Sequence, residues 1–240
     1  MKRALFLFLI LANVLNAWSK DTLQSGFGIQ RYSIKANVEY GYNYTYNSYA
    51  NFSGIATIPF SSHFEMEGRL QLSTANFYVG GFVLRPKIPF KVGELFFETR
   101  AQYNLLARNK IHETCAGLSL GYRMDYVSAQ LGAFTRVFTP FNHDMNEGYG
   151  FTSEVYNIFW RLEVFVRPQR NKWNVSASIA NNNDFQIERM WQPIFNLGGR
   201  YDIDEKWRVH ADIEFKPTGM FHLNASFYSV IAKVGFTYFL

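Results

Sequence analysis

Apolar and polar residues alternate with a period of two over long stretches of this chain. From Tyr32 to Tyr44, the even positions hold Tyr, Ile, Ala and Val, whereas the odd positions hold Ser, Lys, Asn, Glu and Gly. Successive side chains of a β-strand point to opposite faces, so the pattern predicts a strand with one apolar and one polar face. The alternation recurs in segments that begin near Phe64, Leu95, Ala116, Val127, Tyr156, Trp173, Trp191, Trp207 and Tyr228.

Turn signals divide this pattern into about twelve strands. We predict tight turns at 60–63, 85–87, 123–125, 167–171 and 202–206, and looser connections at 46–51, 73–76, 107–112, 139–148, 181–189 and 217–224. No helical periodicity of comparable length and no linker interrupts the series. The sequence predicts a single all-β domain over residues 18–240, a transmembrane antiparallel up-and-down β-barrel of about 12 strands. An even strand number places the tight turns on the periplasmic side and the looser connections outside.

The first residues have the order of a secretory signal peptide. A basic segment from Met1 to Arg3 precedes an apolar run over 4–15, and Ala17 offers a small residue for cleavage. The run is too short to span a bilayer as a helix. The alternative is a buried N-terminal helix, but a core helix would show polar positions at helical spacing. We therefore assign residues 1–17 to a signal peptide.

Composition agrees with a barrel that hides its apolar surface in alternation. The chain is 48% hydrophobic and 18% aromatic, yet its mean hydropathy is slightly negative. After the signal peptide, no stretch approaches the roughly 20 apolar residues of a membrane helix. The net charge of +5 includes Lys2 and Arg3, so nucleic-acid binding is not indicated. A single cysteine excludes an internal disulfide, and we expect Cys115 to be a buried, inert thiol.

The segment IAKVGFTYFL, residues 231–240, carries aromatic and apolar side chains at alternate positions. Together with the signal peptide and the period of two, this segment resembles the last strand of bacterial outer-membrane β-barrel proteins. The resemblance implies that the strand closes the barrel against the first strand in the outer-membrane lipid bilayer. It also implies that periplasmic chaperones and the barrel assembly machinery are partners, the latter recognising Val234, Phe236, Tyr238 and Leu240. Leu240 departs from the phenylalanine that is most common at the last position.

Two other classes of protein show some of these features. A soluble β-sandwich also alternates, but the polar face of this chain is too charged and its apolar face too aromatic for one small core. A secreted eukaryotic protein would be supported by the Asn-x-Ser/Thr sequons at Asn43, Asn51, Asn174 and Asn224. In a chain rich in asparagine, chance explains these sequons more simply, so the membrane barrel is favoured.

The polar face, which we predict to line the lumen, carries charges of both signs in near balance. Charge in a narrow tube must be paired or hydrated. One interpretation is a salt-bridge network that stiffens the wall, and the other is a ladder that passes polar or charged solutes. Phe96, Phe134, Phe159 and Phe165 are also predicted to point inward. The charged candidates are Lys35, Glu39, Glu65, Glu67, Arg69, Glu98, Arg100, Arg136, Arg161, Glu163, Arg200, Arg208, Asp212, Glu214 and Lys233.

Barrel size predicts a small channel. Eight strands are filled by their own side chains and sixteen leave a wide pore, so about twelve is intermediate. We predict a passive channel for ions or small polar solutes, with a mixed-charge lumen and with no cofactor or metal. The first alternative is a structural or adhesin-type barrel that exposes Tyr44, Tyr46, Tyr49 and the 139–148 loop.

The second alternative is a hydrolase at the barrel rim, which the motifs do not favour. No histidine is followed two positions later by serine, as in outer-membrane phospholipases, and the Asp-x-His of omptin-type proteases is absent. The one Asp-x-Asp, at Asp202 and Asp204, falls on a predicted periplasmic turn. His112, His143 and His222 fall on predicted external loops, where solvated residues are the simpler interpretation. We therefore predict no catalytic residues.

Overall fold

A computed structural model describes residues 23–25, 28–43, 47–107, 111–140, 154–169, 171–188, 190–218 and 227–240. The predicted signal peptide, Tyr44, Tyr46, His143 and His222 lie outside the described residues. A short antiparallel hairpin of β1 (Leu23–Ser25) and β2 (Gly28–Gln30) precedes the longer strands. Within the described ranges, no helix has the length and apolar character needed to cross a membrane.

Twelve strands form one closed antiparallel barrel, as the sequence predicts. Each strand pairs with its neighbours in the chain, and β14 closes the cylinder by pairing with β3, where Lys233 lies opposite Glu39. The backbone amide of Leu240 extends this seam by donating to the carbonyl of Tyr32 at 2.9 Å. The strands are β3 (Ser33–Asn43), β4 (Asn47–Ser61), β5 (Phe64–Ser73), β6 (Phe77–Pro89), β7 (Glu94–Leu106), β8 (Ile111–Arg123), β9 (Val127–Pro140), β10 (Glu154–Phe165), β11 (Trp173–Ala180), β12 (Ile194–Asp202), β13 (Trp207–Thr218) and β14 (Phe227–Phe239).

Antiparallel pairing places the connections at two rims. We call the rim that carries the connections 62–63, 90–93, 124–126, 166–172 and 203–206 the turn rim, and the opposite rim the loop rim. The start of β3 and the end of β14 both lie at the turn rim. The predicted separation of tight turns from looser connections is confirmed for four of the five predicted turns.

The outer wall of the barrel is apolar. On β14, Val234 and Phe236 are 57% and 54% exposed, whereas Lys233 and Thr237 are buried, which confirms the predicted alternation of this strand. An apolar band between two girdles of aromatic residues is typical of transmembrane barrels and suits lipid rather than water. Exposed aromatic rings lie near the loop rim at Tyr40, Tyr42, Tyr78, Tyr103 and Tyr156, and near the turn rim at Tyr126, Trp173, Tyr201 and Trp207.

The predicted turn at 85–87 is wrong, because β6 continues through it to Pro89. The pairing with β7 skips Arg85 and Pro86 and resumes where Lys87 lies opposite Phe96. Proline has no backbone N–H, so it interrupts the ladder on one side without ending the strand. The tight connection comes later, where the amide of Phe90 donates to the carbonyl of Gly93 at 2.7 Å.

Several loop-rim strands are longer than predicted. β4 begins at Asn47, and Tyr49 is only 6% exposed, so this tyrosine belongs to the barrel interior and not to an adhesive outer surface. Its ring packs over Gly41, where any Cβ would overlap it. His112 lies within β8 and not on a loop, and its Nδ1 forms a hydrogen bond with the hydroxyl of Tyr103 on β7.

The connection between β11 and β12, residues 181–193, folds into the barrel; we call it the inner loop. The chain can leave the wall after Ala180 because Asn181 replaces the missing strand beside β10. The amide nitrogen of Trp160 donates to Asn181 Oδ1 at 2.8 Å, and Asn181 Nδ2 donates to the carbonyl of Ile158 at 2.9 Å. Backbone polar groups at membrane depth need such partners. The sequence predicted this segment as an external connection, and its inward path is a finding of the structure.

Candidate functional site: the barrel interior

The fifteen charged residues predicted to face the lumen are all buried or partly buried. Phe96, Phe134 and Phe159 are buried as well, at 3%, 4% and 1% exposure, and Phe165 is partly buried. The structure divides the charged residues between tightly paired groups and a more loosely paired wall.

The tightest group lies on β5, β6 and β7, which we call the paired wall. Arg85 is its centre: Nη1 donates to Glu67 Oε1 at 2.9 Å, Nη2 donates to Glu98 Oε2 at 2.9 Å, and Nη1 also binds Glu65. Charge-assisted bonds of this kind are the strong ones in low-dielectric surroundings. The wall also contains Lys87 bound to Glu65, Arg69 bound to Glu67, and Arg100 bound to Glu98.

A second group joins β14 to its neighbours across the seam. Lys233 Nζ lies 3.5 Å from Glu39 Oε1 on β3 and 3.4 Å from Glu214 Oε1 on β13. Asn51 and Gln71 donate to Glu39 Oε2 at 2.9 Å and 3.0 Å. The buried carboxylate of Glu39 therefore has partners on three strands. A third group is the ion pair of Arg136 on β9 with Glu113 on β8, in which Nε lies 2.6 Å from Oε1.

Some charged side chains on β10, β12 and β13 are held less tightly, and we call this set the loose wall: Arg161, Glu163, Arg200 and Asp212. Arg161 Nε lies 3.7 Å from Glu163 Oε2, and the two side chains are 31% and 21% exposed. Arg200 Nε and Nη2 have no hydrogen-bond acceptor among the described residues, although both atoms are buried. Arg208 pairs with Asp202 near the turn rim. Asp212 faces Arg200 and Glu163 across a cavity of about 110 Å³.

Guanidinium and amide groups of the wall bind the main chain of the inner loop. Arg100 Nη1 donates to the carbonyl of Asn183 at 3.0 Å, and Arg69 Nη1 donates to that of Asp184 at 2.9 Å. Gln102 Nε2 donates to the carbonyl of Phe185 at 2.6 Å. Several of the predicted lumen arginines thus hold a peptide segment in the lumen.

Apolar contacts anchor the same loop at two points. Phe185 is 2% exposed and packs against Ile55 and Val79, from β4 and β6. Ile187 is 5% exposed and packs in a cluster with Phe134 and Phe159, from β9 and β10. Burying apolar side chains in this way stabilises the inward path of the loop by roughly 1.5–3 kcal/mol for each fully buried side chain.

The inner loop lies between two cavities. The larger, of about 340 Å³, occupies the turn-rim half of the lumen, with Ser33, Arg123 and Phe239 in its wall. The smaller, of about 80 Å³, lies toward β11 to β14 and includes Lys233 and Glu214. Four residues line both cavities: Lys35, Arg161, Asn182 and Asp184.

Sequence reasoning placed Arg85, Lys87 and Asp184, which are charged residues of this interior, in turns or connections. Arg85 and Lys87 were assigned to a turn, although they continue the odd-numbered series of inward positions from Val79 through Val83. That parity was the signal that could have found them. Asp184 had no such signal, because the period of two does not reach into a connection.

Among the described residues, the interior offers no arrangement that assigns a reaction. Within the described residues, no group of three His, Cys, Asp or Glu side chains could hold a metal ion. His210 forms a 2.6 Å hydrogen bond with Asn37 Oδ1, and Asn37 Nδ2 donates to Ser53 Oγ at 2.9 Å. The asparagine therefore separates the serine from the histidine, whereas a nucleophile needs its base within direct reach. Cys115 is buried, as expected.

Two of the sequons are unsuited to glycosylation in this fold. Asn51 and Asn174 are 1% and 3% exposed. Asn51 binds Glu39, and Asn174 Nδ2 donates to the carbonyls of Arg167 and Pro168. A glycan is bulky and belongs on the surface, so these two sites give no support to a secreted eukaryotic protein.

Comparison with known proteins confirms the fold. No protein-family model matches the chain, and no curated protein matches it. A KdgM porin in complex with disordered oligogalacturonate is similar at TM-score 0.57 and 10% identity, over 87% of this chain and 99% of that one. A NanC porin is similar at TM-score 0.54 and 10% identity, over 85% of this chain and 100% of that one. An active-site mutant of outer membrane phospholipase A from Escherichia coli is similar at TM-score 0.51 and 11% identity, over 93% of this chain and 96% of that one. The predicted fold, a closed antiparallel β-barrel of twelve strands like those of these outer-membrane proteins, is confirmed.

Proposed function

We propose that this protein is a passive outer-membrane channel for ions and small polar solutes, with a preference for anions. The cavity of about 340 Å³ in the turn-rim half of the lumen carries the proposal. Its walls hold an excess of positive charge, and such an excess favours anions in a pore. The lining includes seven bases, Lys35, Arg69, Arg85, Arg100, Arg123, Arg161 and Arg208, and four acids, Glu67, Glu98, Glu163 and Asp184.

The bases differ in how far they are neutralised. Arg85 contacts three glutamates and has little charge to offer a solute. Arg123 lies 3.8 Å from Glu94, and Lys35 lies 3.8 Å from Asp184, so these are ion pairs without close hydrogen bonds. Together with Arg161, they supply the positive potential that we propose for the channel. At about 30 Å³ per molecule, the cavity has room for roughly ten waters, which is enough to hydrate a small ion.

A non-conducting barrel is the second candidate, and the inner loop is the observation that favours it. The loop crosses the lumen between the two cavities and is anchored by Phe185 and Ile187. If the loop always blocks the passage between the two cavities, the protein is a sealed structural barrel. We favour the channel because the loop leaves polar, charged cavities on both sides, whereas a barrel that serves only as an anchor has no need of them.

A hydrolase is less well supported, although one of the similar structures is a phospholipase. In this chain, His63 hydrogen-bonds with Ser62 at 2.8 Å, but both belong to an exposed tight turn. His210 lies inside the barrel with Asn37 between it and Ser53. Neither arrangement pairs a serine with a histidine that a further residue orients.

The test is the reversal potential of purified, refolded protein in a planar lipid bilayer under a salt gradient. We expect steady conductance with anion preference, and we expect Arg161→Glu with Arg200→Glu to shift the preference toward cations. Arg161 lines the cavity of about 340 Å³, and Arg200 lines the cavity of about 110 Å³, which shares Glu163 with it. Both arginines belong to the loose wall, so their replacement leaves the tightly paired glutamates intact.

The matched control makes the same change of charge outside the lumen. Lys172 and Lys206 are exposed in turn-rim connections, so Lys172→Glu with Lys206→Glu should leave the reversal potential nearly unchanged. A folded, heat-modifiable barrel that adds no conductance to the bilayer would replace the channel with the sealed barrel. An unchanged reversal potential in the lumen variant would contradict the proposed path.

A further inference from the structure

The tip of the inner loop is a small hairpin that presents one carboxylate. Asn182 and Ile187 form an isolated antiparallel bridge, and the amide of Asn183 donates to the carbonyl of Gln186 at 2.9 Å. Asn183 Oδ1 accepts from the amides of Phe185 and Gln186 at 2.9 Å and 2.7 Å. Asparagine stabilises tight turns through such bonds. The turn is therefore built locally, and Asp184 stands at its tip.

The Asp184 carboxylate lies among bases that come from four separate strands. Its Oδ2 is 3.8 Å from Lys35 Nζ on β3, and Arg69, Lys233 and Arg161 act on it electrostatically from β5, β14 and β10. We call these four bases the cradle. Burial on its own would raise the pKa of Asp184, but the cradle outweighs burial and holds that pKa below its usual range. Asp184 is therefore an ionised carboxylate at neutral pH.

The contact between this carboxylate and the cradle is loose. A separation of 3.8 Å is longer than a hydrogen bond, and the side chains of Lys35 and Asp184 are 29% and 27% exposed. Water can reach both groups, so hydration can replace this contact. The loop main chain and its apolar anchors, by contrast, are firmly held. The Asp184 side chain can thus leave the cradle without the loop leaving the lumen.

Asp184 lies where a solute in the lumen could reach the bases of the cradle. Asp184 lines both the cavity of about 340 Å³ and the cavity of about 80 Å³, as do Lys35 and Arg161 of the cradle. A carboxylate brought by a solute would meet the same bases from the larger cavity. The part of the molecule best placed to compete with it is Asp184 itself.

We propose that the cradle is a binding site for one carboxylate group of a small anionic solute, and that Asp184 occupies this site as an internal ligand until such a solute displaces it. The inference rests on the proposed channel, because the solute reaches the cradle through the lumen. It assigns Asp184 an autoinhibitory role. The solute carboxylate replaces that of Asp184 beside Lys35, Arg69 and Arg161, which line the larger cavity, while Lys233 stays paired with Glu39 and Glu214.

Equilibrium dialysis of refolded, full-length protein in detergent tests the site without using conduction. The probe is gluconate, and glucose is the uncharged probe of similar size. We expect Asp184→Asn to bind gluconate about tenfold more tightly than the unmodified protein, if Asp184 fills the site about nine-tenths of the time. Glucose binding should not change. Lys35→Met and Arg161→Gln should each lower gluconate affinity. Both variants are measured so that the test still holds if one of them does not fold.

The matched control is Asp212→Asn, which removes a carboxylate from the wall of the smaller cavity but leaves the inner loop unchanged. If Asp212→Asn tightens binding as much as Asp184→Asn, the effect is general cavity charge and the inference is wrong. Equal affinity in Asp184→Asn and the unmodified protein also overturns it. If the protein conducts but Asp184→Asn does not change gluconate affinity, the role of Asp184 as internal ligand is refuted and the channel is not. If gluconate binds as expected but the protein never conducts, the channel is refuted and the binding site is not.

Discussion

The two sides of the barrel interior use the same residue types in opposite ways. On the paired wall, Arg85 and Glu98 are 11% and 4% exposed, and one arginine contacts three glutamates. On the loose wall, Arg161 and Glu163 are 31% and 21% exposed and 3.7 Å apart, and Arg200 has unpartnered guanidinium nitrogens. The difference indicates that the charges of the first wall are neutralised by one another, whereas those of the second are less closely paired.

This contrast bears on the two interpretations that the sequence left open. The salt-bridge network describes the paired wall, and the solute path stays a proposal that rests on the less closely paired bases. The paired wall satisfies the requirement that buried charge find a partner. Both walls line the larger cavity, and the charges of the loose wall rely more on hydration than on a partner. The proposed function depends on Arg161 of the loose wall together with Lys35 and Arg123.

The largest expected effect comes from breaking the paired wall at its centre. Arg85→Met removes the shared partner of Glu65, Glu67 and Glu98 and leaves buried carboxylates with fewer cations. We expect a loss of about 3–5 kcal/mol in the free energy of unfolding, as for other buried pairs broken on one side. Urea unfolding in phospholipid vesicles, followed by tryptophan fluorescence, measures it. An unchanged unfolding midpoint would mean that the paired wall contributes nothing to stability.

A substitution on the outer face tests the lipid-facing surface independently of both inner walls. Val234 is 57% exposed on β14 and Thr237 is buried on the inner face of the same strand. Near mid-membrane, an arginine on the lipid face costs roughly 2–4 kcal/mol, so Val234→Arg should reduce folding far more than Thr237→Arg. Heat-modifiable gel migration and outer-membrane fractionation compare the two variants. Equal, harmless outcomes would contradict the membrane placement of this strand.

The same pair of variants bears on assembly. Val234, Phe236, Tyr238 and Leu240 remain the predicted signal for the assembly machinery, and only Val234→Arg alters it. If that variant refolds well in vitro but does not reach the outer membrane in cells, recognition has failed and not stability.

The smallest expected effect is on the loose wall, and it mirrors the first experiment. Arg200→Met makes the same chemical change as Arg85→Met at a guanidinium that has two unpartnered nitrogens. Because no tightly bound carboxylate loses its partner, we expect a change of less than about 1 kcal/mol in the free energy of unfolding. The same urea titration applies. If Arg200→Met and Arg85→Met cost equal stability, the distinction between the two walls does not hold.

The sequence by itself determined the wall of this protein. A period of two assigns each strand residue to a face from its immediate neighbours alone, so Val234 and Lys233 could be placed on opposite faces before any fold was known. Strand number followed from this pattern together with the turn signals, and closure was implied by the resemblance of the last strand to those of outer-membrane barrels. The one misplaced turn arose because Pro86 was read as a strand end, although proline only interrupts one side of the ladder.

Only the tertiary structure decided what fills the barrel. Arg69 meets Asp184 across 115 positions and Arg100 meets Asn183 across 83, and no local pattern records such contacts. Periodicity determines the face on which a charge lies, but its partner depends on how strands far apart in the chain come together around the cylinder. The inward path of residues 181–193, and with it the cradle around Asp184, is fixed by those long-range contacts.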